Sequence, residues 1–95
     1  MTPAIIYEVI ITSHAYRSLK KLRKNQQLLN RLDTAIQLLA SQPRPAGCRK
    51  LNAAQYDNIY RIRVADWRIL YAIEDDKIVV LILDVVARDH AYRNP

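Results

Sequence analysis

Between Ile59 and Ile73 the chain reads IYRIRVADWRILYAI, two apolar runs joined by a short turn and interrupted by Arg61, Arg63 and Arg68. A turn at Ala65-Asp66, or the slightly longer Val64–Trp67, sets Arg63 opposite Arg68 and leaves Arg61 on the same face as Arg63. Tyr60, Ile62, Val64, Trp67, Ile69 and Tyr71 then share the other face, toward a core. Like charges opposed across a ladder repel by a fraction of ~1 kcal/mol when exposed. One reading is a solvated outer face that tolerates this repulsion. The other is a phosphate cradle, because guanidinium is planar, permanently charged and forks onto two phosphate oxygens. A bound anion would then relieve the repulsion.

Two further groups carry candidate chemistry. Arg88 follows directly on the apolar run ending in DVVA, and His90, Tyr92 and Arg93 come just after it. Tyr92 offers a ring for stacking on a base and a hydroxyl for hydrogen bonding; the alternative is a tail anchor against the sheet. His90 reads as a possible acid or base, or as an ordinary surface histidine. Earlier in the chain, Arg17, Lys20, Lys21, Arg23 and Lys24 crowd the stretch RSLKKLRK. They form either the solvated side of an amphipathic helix or a docking surface for RNA or an acidic protein segment.

The elements that must position these residues follow from periodicity. AIIYEVIIT, residues 4–12, is β-branched and apolar and reads as a strand. Thr12 or Ser13 can cap a helix whose inner positions are Ala15, Leu19 and Leu22. A second helix, about 26–41, buries Leu28, Leu29, Leu32, Ala35, Ile36 and Leu39. The tight connection at 25–27 makes the pair an antiparallel helical hairpin. Pro43, Pro45 and Gly47 end the helices. CRKLN reads as a short edge strand, the arginine-bearing runs as a β-hairpin, and KIVVLILDVVA as a central strand covered on both faces. The order β-α-α-β-β-β predicts an α+β fold, a mostly antiparallel sheet with a two-helix hairpin on one face.

At 95 residues the chain has room for one domain, 1–95, and 51% hydrophobic residues suffice for one core. Fifteen Lys and Arg against nine Asp and Glu give a net charge of +6, which favours a polyanionic partner or simply a basic soluble protein. The lone Cys48 makes no internal disulfide, and no Cys/His cluster has metal-site spacing, so neither metal nor cofactor is expected. The run IVVLIL is far shorter than the ~20 residues of a membrane helix, and no secretory signal is evident. A cytoplasmic protein with no membrane partner is the expectation.

YEVIITSHAYRSLKKL, the prolines after the second helix, YRIRVADWRILYAIEDDKIVVLIL and the closing RDHAYR together resemble the RelE/ParE superfamily of bacterial toxins, over nearly the whole chain. The RelE-like branch implies a ribosome-dependent endoribonuclease that cuts mRNA in the decoding site. It also implies a cognate antitoxin that wraps the toxin in a hetero-oligomer. Carried over residue by residue, the site comprises Arg61 and Arg63 on the first hairpin strand, Arg68 on the second, Arg88 after the last strand and Tyr92 in the tail. The chain departs from the family pattern in carrying arginines where lysines are best known at 61 and 63. It has Ala65 where glycine is common, Val86-Ala87 where Gly-His is common, and Asp89 where a second basic residue is frequent.

The reaction implied is internal transesterification: the ribose 2′-OH attacks phosphorus, leaving a 2′,3′-cyclic phosphate and a free 5′-OH. Arginines relieve the phosphorane charge but will not accept a proton at neutral pH. Acid and base duty stays open among Tyr92, His90, whose intrinsic pKa is near 6.5, and groups from the ribosome. In this reading the helix-1 cations meet ribosomal RNA. Two other functions fit the residues: a ParE-like inhibitor of DNA gyrase without nuclease activity, and a non-catalytic basic module that binds RNA or protein.

Overall fold

The structure, a computed structural model, describes residues 4–51 and 58–88. Their elements run β1 (Glu8–Ile11), α1 (Ser13–Lys20), α2 (Gln26–Leu38), β2 (Arg49–Lys50), β3 (Ile59–Val64), β4 (Trp67–Glu74), a 3₁₀ turn (Asp75–Lys77) and β5 (Val79–Ala87). The strands form one sheet in the order β1-β5-β4-β3-β2. Both helices cover the same face. Ala15 of α1 and Leu32 and Ile36 of α2, with Leu39 just beyond, share one buried cluster with sheet residues from Ile62 to Val85.

The α+β class and the mostly antiparallel hairpin half are as expected, with β2 at the edge. The first strand pairs differently from the rest: β1 lies parallel to β5, with Glu8 beside Val79 and Ile11 beside Ile82. It is also shorter than the 4–12 run, because its pairing begins only where β5 does. Ahead of that point the backbone N–H of Tyr7 bonds to the Ala40 carbonyl at 2.7 Å instead.

Both helices stop earlier than their apolar patterns. After Lys20 the N–H groups of Leu22 and Arg23 reach back to Leu19 and Lys20, and after Leu38 those of Ala40 and Ser41 reach Gln37 and Leu38. Such three-residue bonds tighten a helix end and use up its orphan carbonyls. Thr12, not Ser13, caps α1: its Oγ1 accepts from the Ala15 N–H at 3.2 Å while donating to the Ile82 carbonyl at 2.7 Å. Asn25 caps α2 through the Leu28 N–H at 3.2 Å.

β5 lies inside the sheet, but its two faces differ from expectation. Val80, Ile82 and Val85 are buried under the helices, whereas Leu81 and Leu83 on the far side are only half-buried. A bulge explains why Ile82 and Val85 both face inward. Leu70 pairs with Asp84 and Tyr71 with Ile82, so Leu83 is the extra residue. Asp84 thereby meets α1, accepting from Ser18 Oγ at 2.8 Å and lying 3.1 Å from His14 Nε2. This Ser/His/Asp group docks a helix; the serine donates to the carboxylate and not to the imidazole.

The hairpin register is the expected one, with Val64 beside Trp67, Arg63 beside Arg68 and the two-residue turn Ala65-Asp66. Ile62, Ile69 and Tyr71 are buried beneath the helices, and Tyr60, Val64 and Trp67 pack against them. The turn holds Ala65 at φ 54°, a left-handed value at which a side chain costs about 1–2 kcal/mol.

Candidate functional site

A cleft of about 500 Å³ opens between the C-terminal half of α2, the loop around Pro45–Gly47 and the strands β2 to β4. Its apolar wall includes Ala35, Leu38 and Leu39, and its polar wall is made by Arg49, Arg61, Arg63 and Arg68. No carboxylate lines it among the described residues. The strand register explains why the charges concentrate. Arg63 is paired with Arg68, and Arg49 on the edge strand is paired with Arg61. Two arginine–arginine cross-strand pairs thus stand side by side on three adjacent strands, each opposing like charges.

Burial grades the four. Arg63 and Arg49 are exposed and Arg61 half-buried, but Arg68 is only 1% exposed. Removing a guanidinium from water costs several kcal/mol unless other groups compensate. A site that keeps one there has its donor oriented before any ligand arrives. The solvated outer face considered from sequence is therefore not where Arg68 sits.

The loop wall is fastened from outside. Arg44 donates to Asp75 through Nη2 at 2.7 Å and Nη1 at 3.4 Å, and through Nε to Tyr60 Oη at 3.2 Å, its guanidinium lying 5.3 Å from the Tyr60 ring. Tyr7 adds a 2.6 Å bond to Asp75. Arg44 and then Tyr7 hold the Asp75 carboxyl below the ordinary carboxylate range, and the same carboxylate pushes the Tyr7 phenol up. From inside, the buried Tyr71 donates to the Pro43 carbonyl at 2.8 Å, and burial pushes its phenol well above its usual value. Gly47, at φ 89°, supplies the left-handed turn within this wall.

The predicted site residues divide. Arg61, Arg63 and Arg68 come together in the cleft. Arg88 is exposed and does not line it; its backbone N–H bonds to the Asp66 carbonyl at 2.8 Å, which sets it at the hairpin-turn end of the sheet. His90 and Tyr92 lie outside the described residues. Arg17, Lys20, Lys21, Arg23 and Lys24 line one shallow depression at the end of α1, apart from the cleft. Arg49 was missed in the sequence. CRKLN shows an edge strand, but nothing local shows which residue it meets.

Chemically, such a lining can hold an anion and neutralise added negative charge. Among its described lining residues there is no His, Lys, Cys, Tyr or carboxylate, so proton transfer requires a group from elsewhere. No helix among the described residues is long and apolar enough to cross a membrane.

A family model described as the ParE toxin of the type II toxin–antitoxin system parDE matches residues 9–92. No curated protein matches the sequence. Several solved structures are similar. The RelBE2 toxin–antitoxin complex of Mycobacterium tuberculosis contains a chain 28% identical, covering 88% of this chain and 100% of that one, with a TM-score of 0.72. The archaeal RelE–RelB complex of Pyrococcus horikoshii matches at 24% identity, covering 94% and 99%, with a TM-score of 0.75. The intact E. coli RelBE complex matches at 23%, covering 85% and 95%, with a TM-score of 0.71.

Proposed function

Because the chain belongs to the ParE toxin family of type II toxin–antitoxin systems, within the RelE/ParE superfamily, we propose that it is a RelE-like endoribonuclease that cleaves mRNA on the ribosome. The observation that carries this reading is the cleft with its paired arginines. A cleft whose polar wall is arginine from three adjacent strands offers forked donors suited to a ligand dense in negative charge. RNA phosphate is such a ligand. The reaction is attack of a ribose 2′-oxygen on the adjacent phosphorus, with departure of the 5′ oxygen. The 2′ proton passes to a base and the leaving oxygen gains a proton from an acid. Arg61, Arg63 and Arg68 neutralise the charge that grows on the phosphorane, and Arg88 approaches from the hairpin turn. Tyr92 aligns the ribose, and acid and base come from Tyr92, His90 or the ribosome. The cations Arg17, Lys20, Lys21, Arg23 and Lys24 meet ribosomal RNA. A cognate antitoxin, as in the RelBE2 and RelE–RelB complexes, holds the toxin inactive in the cytoplasm, and the whole chain acts as one domain.

The test is cleavage of an mRNA bound on programmed ribosomes, read by primer extension. Loss of one preorganised donor costs roughly 10²–10³ in rate, so Arg68→Ala and Arg63→Ala should each slow cleavage to that extent. Unchanged cleavage by both would end the proposal. The match to a ParE toxin model supports a second reading, the ParE-like inhibitor of DNA gyrase that the superfamily resemblance also implies. A supercoiling assay separates the two: inhibition of gyrase with no strand scission on ribosomes would establish it. RNA binding without either activity would leave a non-catalytic module.

A further inference from the structure

The cleft does not close beyond Arg63. β2 ends its pairing at Arg61, so no described strand covers the edge of β3 past that point, and α2 stands over it. A second depression of about 440 Å³ continues there, sharing Leu38, Arg63 and Val64 with the cleft and adding Asn30, Arg31 and Thr34. A third, of about 420 Å³, shares Arg31 and Ala65 with the second and ends against Trp67. The three form one groove that runs from the paired arginines along α2 to the hairpin turn.

The lining changes character along this path. It begins with guanidinium groups, passes the exposed Arg31, and finishes at an indole that packs on the core with one side and meets the groove with the other. Asn30, Thr34 and Gln27 add amide and hydroxyl groups; the Thr34 hydroxyl donates to the Asn30 carbonyl and Asn30 Oδ1 accepts from Gln26, so Thr34 faces a ligand as an acceptor and Asn30 as a donor. Among the described lining residues Asp66 is the only carboxylate at this end; it is an acceptor suited to a base amino group, while its backbone carbonyl holds Arg88 alongside. Cations spaced along a groove and ending at an aromatic face are what a flexible single strand requires, since phosphates track the charges and any base can stack. An acidic amphipathic peptide would instead need a broad apolar floor at the far end, where Leu28 is the only aliphatic residue larger than alanine among the described lining residues.

We propose that this groove is a subsite for single-stranded RNA flanking the linkage held in the arginine cleft, in which Arg31 holds a backbone phosphate and Trp67 stacks a base. The proposal rests on the reading that the cleft takes RNA, and it extends the footprint past the scissile position to the turn of the hairpin.

Trp67 is the only tryptophan in the chain, so its emission reports on this subsite alone. The probes are 2′-O-methylated oligoribonucleotides, which cannot be cleaved, of two and of six residues, added to the full chain. The hexamer should quench Trp67 with the same midpoint as its anisotropy change, and the dinucleotide should leave the emission unchanged. Arg31→Ala, on an exposed helix face, should weaken the hexamer about tenfold, the effect of losing one charge-assisted contact. Trp67→Leu should do likewise, and Trp67→Phe, which keeps a ring, should stay near wild type. Hexamer binding without quenching, or hexamer affinity unaltered by Arg31→Ala, would overturn the proposal. So would quenching by an oligoglutamate peptide but not by RNA, which would mark a protein-docking surface. Length-dependent quenching without cleavage on ribosomes would retain the groove and remove the nuclease. Cleavage with no effect of Arg31 or Trp67 would do the reverse.

Discussion

Arg63→Gln should make the protein more stable and less active. Arg63 is exposed and stands directly opposite the buried Arg68. Directly opposed residues have Cβ atoms about 5 Å apart, and at that spacing an effective dielectric between about 80 and 20 gives a repulsion of about 0.8 to 3.3 kcal/mol. Cross-strand pairs fall near or below ~1 kcal/mol, so a gain of about 1 kcal/mol is expected. For a domain of 95 residues that is a rise in Tm of about 4–8 °C. Salt provides the decisive control. The screening length falls from about 30 Å at 0.01 M to about 3 Å at 1 M, shorter than the separation of the two charges. The gap between variant and wild type should therefore be largest at low salt and narrow toward about 1 M sodium chloride, though less than for a fully exposed pair because Arg68 is buried. Thermal unfolding followed by circular dichroism across this series measures it. A double-mutant cycle with Arg68→Gln isolates the pairwise part from the packing that Arg68 also supplies. A variant less stable than wild type at low salt, or a gap indifferent to salt, would refute the reasoning that these arginines are held together against their own repulsion.

Four smaller effects follow from other parts of the fold. Asp75 has its pKa lowered by Arg44 and Tyr7, so the unfolded chain binds its proton more readily. Its contribution is present above the unfolded value, near 3.9, and is lost as pH falls through the folded one. Asp75→Asn should thus be less stable than wild type at pH 6, with the difference disappearing toward pH 2 in urea titrations. Tyr71 is shifted the other way, and its contribution is complete below pH ~10 and declines as pH rises beyond it; Tyr71→Phe should flatten the alkaline limb of the stability curve. Ala65→Gly removes a side chain from φ 54°, and after the backbone entropy of glycine it should gain about 0.5–1 kcal/mol by chemical denaturation. Thr12→Ala should cost about 1–2 kcal/mol in the same measurement, because the α1 cap and the bond to Ile82 disappear together.

Short-range backbone geometry made much of this molecule readable from its residues. Alternation with a period of two and a short turn oblige Arg63 to face Arg68, whatever the rest of the chain does. The helical spacing of Leu32, Ile36 and Leu39 similarly marks the stripe that becomes the core. The resemblance carried by the hairpin and its flanks extended that reading to a family.

Partnerships between segments far apart in sequence were decided only by the tertiary structure. β1 runs parallel to β5 because the chain crosses over the helices before β5 returns beside it, and no local pattern encodes that pairing. Arg49 meets Arg61 for the same reason. Arg68 became a buried charge and Arg63 an exposed one although both lie on strands of similar pattern, since burial depends on what the whole chain folds over them. The opening between α2 and the edge of β3, which turns a row of arginines into a groove reaching Trp67, exists because β2 is two residues long. Periodicity determines which way a side chain faces on its own strand; what stands opposite it, and whether water reaches it, are properties of the assembled fold.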